Sequence, residues 1–193
     1  MYTIKIQKAI KFAAKTHNHY QDQKRKGKRI PYIIHPLTAG IILAGVNATE
    51  DVIVAGILHD TIEDSVDDKK VTPEMLTERF GKNVSDLVLS VTETDRDMSW
   101  ADRKKEAIEH IKHFSNDSVL VKSADVISNV SEILDDYERY GDEVFERFKA
   151  SKKDTIENIL KTINALIIKW DKNPLIDDLN LLILKINKSK IIE

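Results

Sequence analysis

The chain has no cysteine, which excludes disulfides and thiolate metal sites and removes any redox argument about compartment. Proline and glycine are scarce, four and six in 193 residues, so the chain has few obligatory breaks. Strand-type alternation and internal repeats are absent. No apolar run approaches the roughly 20 residues needed to span a membrane. The opening MYTIKIQKAIKF has no apolar core followed by a small-residue cleavage site, so no secretory leader is expected. Neither charge sign dominates: the formal net charge is −2, which gives no support to general nucleic-acid binding. These absences leave a cytoplasmic protein without membrane or nucleic-acid partners as the expectation. The length suits one domain, expected over residues 1–193, and such a domain buries roughly 70% of its unfolded surface.

What the chain does have is apolar residues at helical spacing almost throughout, so an all-α bundle is expected. The most informative stretch is Val52 to Ser65, VIVAGILHDTIEDS. Its first half is apolar and includes Gly56, a residue that costs helix stability unless another chain or a ligand approaches closely. Its second half brings His59, Asp60, Glu63 and Asp64. Read as one helix, these four share an arc of roughly 140°. Such a helix delivers an imidazole and carboxylates to a pocket from an otherwise buried rod. Thr49 is expected to cap it, with Glu50 and Asp51 at its positive end.

Around it, a first helix runs from about Ile4 to His17 on a stripe of Ile6, Ala9, Ile10 and Ala13. His17 and His19 close it and read as surface histidines. Lys24-Arg25-Lys26-Gly27-Lys28-Arg29 puts five cations in six residues and reads as a loop that a phosphate could meet. His35 follows inside an apolar stretch, biased to an extended conformation by Pro36, and the next helix is expected to start at Pro36 and reach Ala44. Thr72-Pro73 opens a helix closed by Gly81, another follows to Val91, and 92–98 is polar. Ser99 with Asp102 resembles a capping pair. In Ser118 to Leu134, the residues Lys122, Asp125 and Asn129 fall within about 60° of one another on a helix. Three polar groups on one face of an apolar helix are costly unless paired or liganded. Helices over 152–170 and 175–187 complete the chain.

Three separated segments thus bring imidazole and carboxylate groups: His35, then His59 and Asp60, then Asp125. Without sulfur, such a set suits manganese, iron, zinc or magnesium, and an ion of this kind lowers the pKa of a bound water. Glu63 and Asp64 are placed to orient that water or shuttle its proton. With the basic loop beside His35, the combination points to hydrolysis of a phosphate ester or anhydride.

These residues resemble the H…HD…D pattern of HD-domain metal-dependent phosphohydrolases. Within them the chain is similar to the alarmone hydrolases, the hydrolase domain of RelA/SpoT-type proteins and its small stand-alone relatives. The resemblance rests on PYIIHPL (31–37), GILHDTIEDS (56–65), the Phe80-Gly81 pair, VTE (91–93) and KSADVISN (122–129), and covers about residues 5–170. It implies one manganese ion on His35, His59, Asp60 and Asp125, with Glu63 and Asp64 acting on the water. It also implies removal of the 3′-pyrophosphate of guanosine tetra- or pentaphosphate. Lys24, Arg25 and Lys26 would meet the base or phosphates, Lys122 would share the charge of the ester, and Asn129 would lie in the nucleotide pocket. The family usually has leucine at Ser123 and a basic residue at Val126, and the second change bears on substrate preference. The same chemistry on NADPH or a deoxynucleotide, or a non-catalytic metal or nucleotide sensor, are the competing readings. Oligomeric state has no signature in the sequence.

Overall fold

The computed structural model describes residues 3–93, 98–189 and 191; most of the polar stretch expected over 92–98 therefore lies outside the described residues. The helices are α1 (Ile4–Ala14), α2 (Ile34–Gly45), α3 (Glu50–Leu58), α4 (Thr61–Asp64), α5 (Pro73–Phe80), α6 (Lys82–Val91), α7 (Trp100–His110), α8 (Asn116–Tyr140), α9 (Lys152–Lys169) and α10 (Ile176–Lys188). Among the described residues the only β pairing is an isolated antiparallel bridge between Lys24 and Pro31. No helix among them is long and apolar enough to cross a membrane.

The two apolar clusters among the described residues share α8. Leu120, Val121 and Ala124 at its start pack with α1, α2, α3, α5 and α6. Val126, Val130, Ile133 and Leu134 further along pack with α9, α10 and the Val144-Phe145 turn. Both clusters can share one helix because its 25 residues extend over about 37 Å. Ser115 starts it by accepting the Ser118 amide, three residues earlier than the sequence suggests. Ser123, one of the departures from the family, has a structural use. Its hydroxyl donates to the Val119 carbonyl and accepts from the Asn173 amide, fixing the buried turn between α9 and α10.

Helix α3 is the central rod, with every residue from Val52 to Leu58 buried. Fully burying a Val, Ile or Leu side chain is worth about 1.5–3 kcal/mol, so this rod alone commits much of the core. Thr49 sits at its N-cap position but makes no side-chain cap bond, contrary to expectation. Asp51 is instead tied to Lys5 and Asn83. The expected cap at Thr72 and the expected stop at Gly81, with φ +92°, both occur.

Gly56 answers to a neighbouring helix. A Cβ there would overlap Leu43 Cδ1 of α2, and a Cβ on Gly40 of α2 would lie 2.6 Å from Ile57 Cγ1. The two helices therefore cross in near backbone contact, which presses the site-bearing ends of α2 and α3 together. Alanine at Gly56 gains about 1 kcal/mol of helix propensity but must displace a fully buried leucine. We expect a net loss of about 1–2 kcal/mol in urea denaturation. Gly45→Ala, where a Cβ meets nothing within 4 Å, should cost nothing. Equal stability of the two variants would mean that α2 yields without strain.

Candidate active site

The central stretch is not one helix. α3 ends at Leu58, and the chain passes through a turn at His59-Asp60, where Asp60 has ψ −4°, before α4 begins at Thr61. The carbonyls of a last helical turn lack intrahelical partners, and two of them hold the turn: Leu58 accepts from Thr61 Oγ1 at 2.7 Å, and Gly56 accepts from His59 Nδ1 at 2.8 Å. A carbonyl can only accept, so His59 carries a proton on Nδ1 and aims Nε2 into the site. Helix α2 also starts at Ile34, two residues before the expected Pro36. His35 is therefore in a first helical turn rather than extended. Pro36 is tolerated because first-turn amides need no intrahelical acceptor.

His35, His59 and Asp125 lie in one buried cluster, with Asp60 beside it. His35 Nε2 is 3.2 Å from His59 Nε2, 3.3 Å from Asp125 Oδ1 and 3.6 Å from Asp60 Oδ2. His59 Nε2 is 3.1 Å from Asp60 Oδ2 and 3.7 Å from Asp125 Oδ1. Adjacent ligands held about 2.0–2.5 Å from an octahedral ion stand roughly 2.8–3.5 Å apart. The two-nitrogen, two-oxygen set thus fits a hard or borderline divalent ion. Ser128 Oγ, 2.9 Å from His35 Nδ1, can accept its proton and leave Nε2 for a ligand bond.

The carboxylates are fixed as firmly. Lys122 donates to Asp125 Oδ2 at 2.8 Å and Asn129 to Asp125 Oδ1 at 2.7 Å, so the shared face expected of these residues is real. Tyr32 donates to Asp60 Oδ2 at 2.5 Å. Burial opposes charge throughout. It is the largest single influence on the Asp60 and Asp125 carboxyls and raises both. For Asp60 the charge and hydrogen bond of His59 with the charge of His35 together outweigh it. For Asp125 the Lys122 ammonium with the hydrogen bonds of His35 and His59 does so, and both carboxyls fall below their ordinary range. Burial also opposes protonation of His59, yet Asp60 and Asp125 hold its pKa well above normal. Glu63 shifts the other way from both aspartates. Burial, then the charges of Asp60, Glu93 and Asp64, raise it from 4.5 to about 7. Its Oε2 accepts the Glu93 amide at 3.3 Å. Asp64 Oδ2 accepts from the Gln23 side chain at 2.8 Å.

A cleft of about 630 Å³ opens beside this cluster, with seven cations and two carboxylates in its walls. Arg25 crosses it to Asn129 Oδ1 at 2.7 Å and to Glu132, while lying 5.4 Å over the Tyr32 ring. Lys26 stands 5.2 Å over Phe148. Burial and the neighbouring cations Lys149, Lys104, Arg147 and Arg103 push its pKa down, a field that favours an anion. Lys24 pairs with Asp22. Lys28 pairs with Glu132 and Asp136, so the basic loop is tied onto α8 by carboxylates. A smaller cavity of about 150 Å³ shares Asn129 and Lys104 with the cleft and reaches Asp125 and Lys122, with Val126 in its apolar wall.

Ten of the eleven residues singled out from sequence lie in the cluster, in the cleft wall or one hydrogen bond from them, and Glu63 is bonded to the amide of Glu93, which lines the smaller cavity. Several others at the site were not foreseen. Tyr32 bonds Asp60 and Ser128 bonds His35, and Glu93 touches Glu63 while pairing with Arg103 and Lys104. His17 is wholly buried rather than on the surface; burial lowers its pKa against the pull of Gln23. His19 is exposed, as expected.

The chain matches the HD domain family over residues 9–156. It is 34% identical over 133 residues to guanosine-3′,5′-bis(diphosphate) 3′-pyrophosphohydrolase MESH1 of Danio rerio, covering 68% of this chain and 70% of that one. It is 32% identical over 176 residues to guanosine-3′,5′-bis(diphosphate) 3′-pyrophosphohydrolase of Aquifex aeolicus, covering 89% of this chain and 23% of that longer protein. Among solved structures, a metazoan SpoT ortholog that hydrolyzes ppGpp superposes with a TM-score of 0.75 at 22% identity, over 96% of this chain and 97% of that one. Protein lmo0812 of Listeria monocytogenes superposes with a TM-score of 0.68 at 28% identity, over 80% and 99%.

Proposed function

Because the chain belongs to the HD-domain family, in the branch of the guanosine-3′,5′-bis(diphosphate) 3′-pyrophosphohydrolases, we propose that it hydrolyses guanosine tetra- or pentaphosphate to GDP or GTP and pyrophosphate. The observation that carries this reading is geometric: four nitrogen and oxygen ligand atoms from three separate segments converge beside a cation-lined cleft. His35, His59, Asp60 and Asp125 are the ligands of one divalent ion, for which we propose manganese. Bound there, it supplies positive charge for the phosphoryl oxygens and acidity to a water.

The chain's own groups do the rest. Asp64, steadied by Gln23, orients the water, and Glu63, poised near neutrality, accepts its proton. The water oxygen bonds to the phosphorus attached to O3′, the P–O3′ bond breaks, and O3′ takes up a proton as pyrophosphate leaves. Lys122 offsets charge beside Asp125, while Arg25, Lys26 and Asn129 meet the nucleotide between the Tyr32 and Phe148 rings. Lys24 lies at the outer edge of this surface. A cytoplasmic setting without nucleic-acid partners fits the reading.

The test is a panel of phosphorylated nucleotides with manganese added, including the guanosine alarmones, NADPH and deoxynucleotides, scored for which phosphate leaves. Preference for another nucleotide would keep the ligand chemistry and overturn the substrate. Replacing Lys24, Arg25 and Lys26 by alanine should raise KM about 10- to 100-fold, since hydrogen bonds to charged groups carry about 1.5–3 kcal/mol each. Metal content should not change. Unaltered kinetics would make the loop a structural strap held by Glu132 and Asp136.

A further inference from the structure

The buried imidazole of His17 has no place in the chemistry described so far. It lies one turn beyond Ala13 on the buried stripe of α1, where the helix widens into a π-helical turn over Lys15–His19. Such turns recur at functional sites. Its Nδ1 is 2.7 Å from Gln23 Oε1, and its Nε2 is buried without a hydrogen-bond partner among the described residues. An orphaned buried polar atom costs about 1–3 kcal/mol. A leucine or phenylalanine would fill the same space without that cost, so the other nitrogen must return something.

The hydrogen-bond chain shows what it returns. Gln23 turns its amide nitrogen to Asp64, donating to Oδ2 at 2.8 Å. The carboxamide oxygen then faces His17, which must carry its proton on Nδ1 to meet it. Gln21 strengthens the same knot, donating to Gln23 Oε1 at 3.3 Å and to the Asp64 backbone carbonyl at 2.7 Å. The His17 ring also packs behind Tyr32, centroids 5.0 Å apart, and Tyr32 is the donor to Asp60. One side chain thus backs a residue that acts on the water and a residue that holds the ion.

We infer that His17 is a positioning residue: through Gln23 it fixes the Asp64 carboxylate in the orientation hydrolysis needs, and through Tyr32 it steadies Asp60. This rests on the hydrolase reading, but one of its tests does not. In metal-free wild-type protein, long-range ¹⁵N NMR of the histidines should show His17 as the Nδ1–H tautomer, and Gln23→Leu should erase that preference. An Nε2–H tautomer would overturn the inference whatever the substrate is.

The kinetic test uses whichever phosphorylated nucleotide the wild type turns over. His17→Phe keeps the packing on Tyr32 and removes the donor. It should lower kcat about 10- to 100-fold, the usual cost of losing an orienting partner, with KM and metal content unchanged. His17→Asn, whose amide can replace Nδ1–H, should recover most of that loss. Gln23→Leu should cost as much as His17→Phe, and the double variant no more than either. Multiplying losses, or an asparagine variant no better than phenylalanine, would reduce His17 to a packing residue. Should His17→Phe not fold, the tautomer measurement and Gln23→Leu still decide the matter.

Discussion

Asp125→Asn is expected to abolish metal binding and catalysis together. Asp125 Oδ1 faces both His35 and His59, and Oδ2 neutralises Lys122. The amide keeps the shape but removes a negative charge from the proposed cation site. Metal affinity should fall at least about 100-fold, at the upper end of what disturbing even an outer partner of a metal ligand does. Activity should fall below detection at ordinary metal concentrations. Lys122 then keeps its charge in a mostly buried place without its partner, so stability should also fall, by about 1–3 kcal/mol. Isothermal titration with manganese and a urea melt check both halves. Tight metal binding by the variant would remove Asp125 from the ligand set.

Glu63→Gln should give the opposite pattern: metal retained, catalysis lost and the fold stabilised. A positioned acid–base group is worth about 10² to 10⁴ in kcat, and the loss should appear in kcat with KM little changed. The stability effect follows from the raised pKa. The folded protein holds the Glu63 proton up to about pH 7, against 4.5 when unfolded. Ionisation therefore costs nothing below about pH 4.5 and its full amount above 7. Allowing for partial exposure, that amount is about 1–2 kcal/mol. Metal-free Glu63→Gln should exceed the wild type by this much at pH 8 and match it near pH 4.5. His59 adds to the same trend, because its raised pKa gives stability that is complete below about 6.5 and lost as pH rises through its folded value. Metal-free wild type should therefore weaken as pH climbs above neutrality, and added metal should reverse the decline. A melting temperature indifferent to pH in Glu63→Gln and wild type alike would contradict this electrostatic picture.

How far the site could be read from sequence depended on whether a residue's partner was local. Lys122, Asp125 and Asn129 share one helix, so helical spacing alone placed them together, and both contacts to Asp125 formed. The caps at Thr72, Ser99 and Ser115 are equally local. The turn at His59-Asp60 was missed because nothing in LHDTIED breaks a helix; side-chain bonds from His59 and Thr61 to last-turn carbonyls stabilise it. The loop cations looked free in sequence because Glu132 and Asp136, which hold Arg25 and Lys28, lie about a hundred positions away. His17 was the avoidable miss. It stands four residues after Ala13 on the same stripe, and the polar letters around it concealed that the stripe continues.

The most direct test of the central claim is hydrolysis of guanosine tetraphosphate by the manganese-loaded protein in ¹⁸O-labelled water, followed by ³¹P NMR and mass spectrometry. If the cluster directs water to the phosphorus bonded to O3′, the products are GDP without label and pyrophosphate carrying one ¹⁸O. Release of orthophosphate, label in the nucleoside diphosphate, or an intact alarmone under conditions where another nucleotide is cleaved would contradict it.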